Sequence, residues 1–238
     1  MAEREAVFDA VFADRAVSFG SKALVVADLH VGRAEASDVE VPLGERADLT
    51  ERLGEAVDRL APETVVVAGD VLHEFGRVSH RAAETLALLD EVCREAGAEL
   101  VLVAGNHDRM LESVWDGEVH DQYRVDAGDR EVLVCHGHEE PRAEADCYVV
   151  GHDHPTITIE GQKRPCFLAG EGVYDGGDLL MLPAFSRVAS GVSVNGMRAR
   201  DFQSPLVSDA NALRPIVWDR GREEALTFPP LGRFRKML

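Results

Sequence analysis

Gly105-Asn106-His107-Asp108 directly follows an apolar run, Leu-Val-Leu-Val-Ala, at residues 100–104. Such a run, bounded by polar residues, is typical of a buried β-strand. Amide, imidazole and carboxylate side chains pack poorly in a core, but their oxygen and nitrogen atoms are good metal ligands. The stretch therefore predicts a strand that ends at a metal-dependent site.

Four further polar clusters have the same position relative to an apolar run. They are Asp28-Leu29-His30, Gly69-Asp70, His136-Gly137-His138 and Gly151-His152-Asp153-His154. Helical patterns at residues 45–60 and 79–96 separate the first three strands, which predicts a largely parallel sheet. Because open α/β sheets bind ligands at the carboxyl ends of their strands, we expect the clusters to meet at one edge.

The remaining segments complete the outline of a single domain. Residues 1–22 mix periodicities, which leaves an edge strand pair and a short helix as alternatives, and residues 31–44 read as a loop. The second half is β-rich and predicts a second sheet, with strand-like runs at residues 132–135, 147–150, 156–159, 166–169 and 179–182. We expect one domain over residues 1–238, with a core at about 20–195 and a proline-interrupted, peripheral C-terminal segment at about 196–238.

The composition indicates the kind of cellular environment in which the protein works. The net charge is −18, and the 25 basic residues include only three lysines, which suggests an acidic protein of the halophilic type. This charge disfavours broad nucleic-acid binding at low salt, although high salt would screen the repulsion. Four cysteines without CxxC spacing, a mixed-charge N-terminus and no apolar run near ~20 residues lead us to expect a cytoplasmic protein.

The clusters supply seven candidate metal ligands without a thiolate. They are Asp28, His30, Asp70, Asn106, His136, His152 and His154. Such a mixed nitrogen and oxygen set suits Mn, Fe, Zn, Ni or Co, and seven ligands suit two ions that share a bridging carboxylate. Because side chains alternate along an extended strand, we expect Asp28 and His30 to reach one common point, and likewise His152 and His154.

The five motifs together resemble those of the calcineurin-like metallophosphoesterases. This resemblance implies an α/β fold, a four-layer α-β-β-α sandwich with two mixed β-sheets flanked by helices. It also implies that Asp28, His30 and His154 hold one ion, that Asp70 bridges, and that Asn106, His136 and His152 hold the second. By the same resemblance, His107 is the general acid at the leaving oxygen, and Asp108 orients His107.

Four further stretches resemble the PdeM-like branch of this family, whose bacterial members are associated with an ATP-dependent DNA ligase and a helicase in DNA repair. They are Val41-Pro42-Leu43-Gly44, Gly69-Asp70-Val71-Leu72-His73, Arg164-Pro165-Cys166-Phe167 and Leu182-Pro183-Ala184-Phe185. The resemblance implies DNA as a candidate substrate and a DNA ligase or helicase as a candidate partner. Manganese is the metal that we expect in both positions.

Several neighbouring residues have two interpretations. His138 is an alternative ligand to His136 or a residue at the pocket rim, and His73 supports the ligands or contacts substrate. Arg33 and Arg109 bind a phosphate or pair with acidic side chains. For the function, we predict a dinuclear phosphoesterase that acts on phosphodiesters. The alternatives are a small-molecule phosphatase or cyclic-nucleotide phosphodiesterase on the same site, and a metal-binding scaffold without catalysis.

Overall fold

The computed structural model describes residues 9–20, 22–36, 44–73 and 76–237. A six-stranded sheet forms the first half and has the order β1 to β6. Its strands are β1 (Ala10–Ala13), β2 (Ala16–Phe19), β3 (Ala23–Val26), β4 (Thr64–Ala68), β5 (Glu99–Val103) and β6 (Val119–His120). Strands β3 to β6 are parallel, as the alternation of strands and helices predicts, whereas β1 and β2 form an antiparallel hairpin at the edge.

A seven-stranded mixed sheet forms the second half, so the prediction of a second sheet is confirmed. In spatial order its strands are β16 (Glu224–Thr227), β15 (Arg214–Asp219), β12 (Phe167–Tyr174), β13 (Gly177–Met181), β9 (Cys147–Val150), β8 (Glu131–Cys135) and β7 (Gln122–Asp126). A small third sheet contains β11 (Gln162–Pro165), β10 (Pro155–Ile159) and β14 (Val192–Ser193). The described helices are α1 (Arg33–Ala36), α2 (Glu45–Leu60), α3 (His80–Glu95) and α4 (Leu231–Phe234).

Three apolar layers hold these elements together. One lies between the two large sheets, and a second lies between the first sheet and helices α2 and α3. The third covers the outer face of the second sheet, where the small sheet, the C-terminal segment and α4 take the place of long helices. The predicted sandwich is confirmed, with an outer layer that is mostly irregular.

The C-terminal segment is not peripheral, and this expectation is wrong for the described residues. Strands β15 and β16 extend the second sheet, and Leu206, Leu213 and Leu231 are fully buried against it. Pro215 interrupts helical patterns, but it lies inside β15, where its carbonyl accepts a hydrogen bond from the Phe228 amide at 2.9 Å. A proline carbonyl is a normal acceptor, so proline at this position does not end the strand.

Two local predictions have different outcomes. Of the two alternatives for residues 1–22, the described residues form the edge strand pair β1–β2. The stretch Val41-Pro42-Leu43 lies outside the described residues. Ser79 caps α3 as its side chain suggests, because its hydroxyl oxygen accepts a hydrogen bond from the Ala82 amide at 3.0 Å.

Candidate metal centre

The predicted ligands lie where five strands end. Asp28 follows β3, Asp70 follows β4 and Asn106 follows β5 in the first sheet, while His136 follows β8 and His152 follows β9 in the second. Both sheets present the carboxyl ends of parallel strands at this end of the sandwich. The two sheets therefore bring the five clusters to one place.

The backbone at this edge is left-handed rather than extended. The residues with positive φ are Asp28 at 56°, His30 at 46°, Asp70 at 46°, His152 at 72° and His154 at 46°. The argument from side-chain alternation is therefore wrong, because a left-handed residue turns its side chain out of the strand pattern. Such residues cost ~1–3 kcal/mol each and cluster at functional sites, where the surrounding structure holds them.

The first donor group has Asp28 at its centre. Its Oδ1 lies 3.2 Å from His154 Nε2, which in turn lies 3.2 Å from His30 Nε2. The donor atoms of Asp28, His30, Asp70 and His154 all lie within 4.8 Å of one another. Asp28 and His30 thus share one point, as expected, although the backbone brings them there by another route.

The second donor group surrounds His136 Nε2. Asn106 Oδ1 lies 3.0 Å from this nitrogen, His152 Nδ1 lies 3.1 Å away and Asp70 Oδ1 lies 3.3 Å away. His152 and His154 therefore belong to different groups, and the prediction that this pair reaches one common point is wrong.

Asp70 lies between the two groups. Its Oδ2 faces His30 Nε2 at 3.6 Å, whereas its Oδ1 faces His136 Nε2 and accepts a hydrogen bond from the His107 amide at 3.1 Å. Each carboxylate oxygen thus points to a different donor group, which is the geometry of a bridging ligand.

The donor atoms fit divalent cations. Burial lowers the pKa of His136 to about 4, so its imidazole is neutral and carries one proton. The Nδ1 atom lies 3.2 Å from the Ala68 carbonyl, which can only accept, so the proton belongs there. The Nε2 lone pair then faces the oxygens of Asn106 and Asp70, which are also acceptors. A cation between these atoms would satisfy the imidazole lone pair and both oxygens.

The charges of His30, His152 and Asp70 agree with this fit, whereas for His154 burial lowers the pKa but the nearby Asp28 carboxylate raises it by more. Burial lowers the pKa of His30 to about 3 and that of His152 to about 4, which keeps both rings neutral. Burial, with the nearby Asp28 carboxylate, raises the pKa of Asp70 to about 8. Metal ligation requires neutral imidazole and ionised carboxylate, and a bound cation would supply the positive charge that favours the ionised form of Asp70.

Glycines make room for this close packing. A Cβ at Gly69 would come within 3.0 Å of the His136 ring, and one at Gly105 within 3.0 Å of the Asp70 backbone nitrogen. At Gly151 a Cβ would lie 2.5 Å from Asp28 Oδ2. At these three positions the glycine is thus explained by a ligand that follows another strand.

His107 lies beside this centre and is fixed by a backbone group. Its Nδ1 lies 2.9 Å from the His73 carbonyl, and its Nε2 lies 3.8 Å from Asp70 Oδ2. Since the carbonyl only accepts, Nδ1 carries a proton and Nε2 is the ring atom on the side of the donor groups.

The predicted contact between Asp108 and the His107 ring is wrong. Within the described residues, the Asp108 carboxylate accepts hydrogen bonds from the backbone amides of Val71, Leu72 and Gly105 at 2.7–3.1 Å and none from His107. Asp108 therefore ties the loop after β5 to the loop after β4. The family resemblance implied that Asp108 orients His107, but in this tight turn the two adjacent side chains diverge.

The remaining candidates lie at the edge of the site. The His73 and His107 rings stack at 6.1 Å, and the exposed His138 lies 5.3 Å from the His136 ring, centroid to centroid. In the described part of the chain, the side chains of Arg33 and Arg109 form no ion pair or hydrogen bond, so pairing with acids does not occupy them there.

Two supporting residues were missed by the sequence reasoning. The buried Asp153 accepts hydrogen bonds from the Gln203 and Ser204 amides at 2.8 and 3.0 Å, which ties the C-terminal segment to the His152–His154 loop. Glu45 accepts a hydrogen bond from the Gly32 amide at 3.3 Å and supports the start of α1. Asp153 stands inside a ligand motif and could have been suspected, whereas no local signal distinguishes Glu45.

The chain is similar to a known protein family and to several solved structures. Residues 22–169, more than half of the chain, match the model of the calcineurin-like phosphoesterase superfamily domain. The crystal structure of the Pseudomonas putida nuclease MPE is similar over 91% of this chain and 94% of that chain, with a TM-score of 0.61 and 24% identity. A phosphoesterase from E. coli, Yfce, is similar over 87% of this chain and 98% of that chain, with a TM-score of 0.46 and 15% identity. No curated protein sequence matches the chain.

Among the described residues, no helix combines the length and the apolar character that a membrane-crossing segment needs.

Proposed function

The chain belongs to the calcineurin-like phosphoesterase superfamily and is a metal-dependent hydrolase, and on this premise we propose that it is a dinuclear phosphodiesterase. The observation that carries the proposal is the position of Asp70, whose two carboxylate oxygens face two separate donor groups. Asp28, His30, Asp70 and His154 would hold one ion. Asp70, Asn106, His136 and His152 would hold the second.

The residues around a bound phosphate ester would have separate roles. When bound, the two ions supply Lewis acidity, which activates a water and offsets charge on the phosphate oxygens. His107 acts at the leaving oxygen. Its Nδ1–H donates to the His73 carbonyl, which fixes the ring with Nε2 on the side of the donor groups, where Nε2 would pass a proton to the leaving oxygen. Asp108 holds the two loops that carry Asp70 and His107.

Substrate contacts extend from this centre. Arg33 and Arg109 have guanidinium groups that are not engaged by acidic side chains in the described residues, which supports a role in binding phosphate oxygens. We assign His138 to the rim, because it is exposed, and His73 to the support of His107.

The finer identity of the enzyme rests on the motifs of the PdeM-like branch. On that resemblance we propose DNA as the diester, manganese as the metal, and a DNA ligase or helicase as partner. The Pseudomonas putida protein is a nuclease, which makes DNA a substrate to test. The cytoplasmic location, the high-salt host and the single-domain organisation stay predictions.

A paired ester assay tests the proposal. Metal-stripped protein is refilled with manganese, and hydrolysis of a chromogenic phosphodiester is compared with that of its monoester in high salt. We expect faster diester hydrolysis, two manganese ions per chain by elemental analysis, and a loss of about 10²–10⁴-fold in kcat for His107→Asn.

The matched control is His80→Asn, because His80 is an exposed histidine at the start of α3, away from the donor groups. It should retain wild-type turnover and both ions. A His107→Asn variant as active as His80→Asn would contradict the role of His107. A folded protein that holds two ions but hydrolyses neither ester would contradict the enzyme assignment and favour a scaffold.

A further inference from the structure

A second cavity lies beside the metal centre. Its volume is about 190 Å³, whereas one water needs roughly 10–15 Å³ by the same measure, so it has room for several waters or a small ligand. The Asp14–Arg15 turn of the β1–β2 hairpin, helix α2, the segment at 185–187 and the turn after β15 surround it. None of the predicted metal ligands lines it.

The cavity is nevertheless joined to the metal centre by backbone hydrogen bonds. Phe185, which lines the cavity, donates its amide to the Ala27 carbonyl at 2.7 Å, and Ser186 donates to the Asp28 carbonyl at 3.4 Å. On the cavity side, Arg52 donates to the Phe185 carbonyl at 2.5 Å. The same short segment thus separates the two sites and contacts both.

Guanidinium groups outnumber the carboxylates that pair with them here. Arg52 and Arg220 share the Asp14 carboxylate, with nitrogen–oxygen distances of 2.7 and 3.0 Å. Arg187 lies 2.6 Å from Asp48, which also contacts Arg52 at 3.5 Å. Two carboxylates therefore serve these three arginines in a chain whose net charge is −18.

A fourth guanidinium, that of Arg15, lies behind the cavity and adds to this surplus. Its Nη1 donates to the carbonyls of Ala184 and Ser186 at 2.9 and 2.8 Å. Its buried Nε has no hydrogen-bond partner within the described residues. Burial, and then the neighbouring Arg52, lowers the pKa of Arg15 to about 10.

The other cavity residues are compatible with an anionic ligand. Glu55 and Glu223 also line the cavity, but both are exposed, and Glu223 lies 3.8 Å from Arg59. Arg59 also stacks over the Trp218 ring at 5.3 Å, which leaves an aromatic wall beside the arginines. The exposed carboxylates are screened by salt, whereas the buried Arg52 guanidinium is screened much less.

We propose that this arginine cavity, built around Arg187 and Arg220, is a phosphate-binding site distinct from the metal centre. The ligand is a phosphate group, either from a neighbouring position of a polymeric substrate or as a free phosphate anion. The two arginines present planar donor forks that suit phosphate oxygens, and both are partly exposed, with 43% and 57% of their side-chain surface accessible.

Trp218 provides a direct test that needs no turnover. The chain has two tryptophans, so Trp115→Phe leaves Trp218 as the single tryptophan emitter. Inorganic phosphate is titrated into this metal-loaded protein at fixed ionic strength. We expect a saturable change in emission, with a Kd that rises about tenfold or more on Arg187→Ala and again on Arg220→Ala.

The matched control is Arg222→Ala, because Arg222 is an exposed arginine in the same turn that does not line the cavity. If the alanine pair impairs folding, Arg187→Lys with Arg220→Lys keeps the charge and removes the fork, and should still weaken binding. No saturable response in the Trp115→Phe protein, or equal Kd values in the pair and in Arg222→Ala, would overturn the proposal.

A kinetic comparison identifies the source of the phosphate, and this arm alone rests on the proposed function. A single-stranded oligonucleotide is compared with the small chromogenic diester. A KM increase of about tenfold for the oligonucleotide only, in the arginine pair variant, assigns the cavity to a substrate phosphate. An unchanged KM together with phosphate binding assigns it to a free anion. Absent turnover refutes the proposed function but leaves the fluorescence result decisive for the cavity.

Discussion

Gly105→Ala adds one methyl group where the adjacent loop leaves no space. The new Cβ would lie closer than 3.0 Å to the backbone nitrogen and the Oδ1 atom of Asp70, a separation that real Cβ atoms essentially never show. The φ angle of Gly105 is not in the left-handed region, so the change tests packing alone. Because one of the obstructing atoms belongs to the backbone, a side-chain rotation cannot relieve the contact, and the loop that carries Asp70 must move.

The expected cost follows from two effects. Overpacking in a tight site costs about 1–3 kcal/mol. The hydrogen bond from the His107 amide to Asp70 Oδ1, 3.1 Å long, adds about 1 kcal/mol if the loop moves. Alanine also reduces the conformational entropy of the unfolded chain, which offsets about 0.4–1 kcal/mol of this loss in stability. We therefore expect a net loss of about 1–3.5 kcal/mol, or about 2–14 °C in Tm for a chain of this size.

Activity should fall more steeply than stability. Displacing Asp70, which lies between both donor groups, by about 1 Å is expected to reduce diester turnover by about 10²-fold. Thermal unfolding followed by circular dichroism gives Tm, and the chromogenic assay gives kcat. Gly196→Ala is the control, because no atom lies within 4 Å of its added Cβ and its φ angle is unstrained. A Gly105→Ala protein that matches this control in both Tm and turnover would refute the packing argument.

Three further perturbations test the fold and the site. Gly54→Ala in the middle of α2 should raise Tm by about 2–4 °C, because alanine favours the helix by about 1 kcal/mol and the nearest atom to its Cβ, on Val92, is 3.9 Å away; an unchanged or lower Tm would contradict this. Burial raises the pKa of Asp14, but its ion pairs with Arg52 and Arg220 lower the pKa by a larger amount. The pKa of Asp14 therefore lies below 3.8. The stability that the Asp14 carboxylate contributes is thus present above that pH and is lost as pH falls. In urea unfolding at pH 7, the free energy of unfolding of wild type should exceed that of Asp14→Asn by about 1–2 kcal/mol. This difference should disappear in acid. Manganese should raise the Tm of metal-stripped wild type in a concentration-dependent way, since a ligand that binds only the native state stabilises that state. The rise in Tm should be smaller for His136→Ala. Equal rises in Tm would argue against His136 as a ligand.

The sequence determined the elements and the types of donor atom. The runs that form β3, β4 and β5 are continuous and apolar, which only buried strands of a covered sheet explain, and each ends in a polar cluster. The identity of each strand is encoded locally, within a few residues. For that reason the strands and the seven candidate ligands could be read directly from the chain, whereas the sandwich was implied by the resemblance of the five motifs.

Only the tertiary structure decided how those donors meet. Asp28 and His154 are far apart in sequence. Because the two sheets pack face to face, Asp28 Oδ1 lies 3.2 Å from His154 Nε2. The left-handed backbone at His152 and His154 sends the two rings to different donor groups, and the carboxylate of Asp108 turns to backbone amides rather than to the adjacent ring. These outcomes depend on backbone angles and on contacts between distant strands, and no local pattern of residues specifies them.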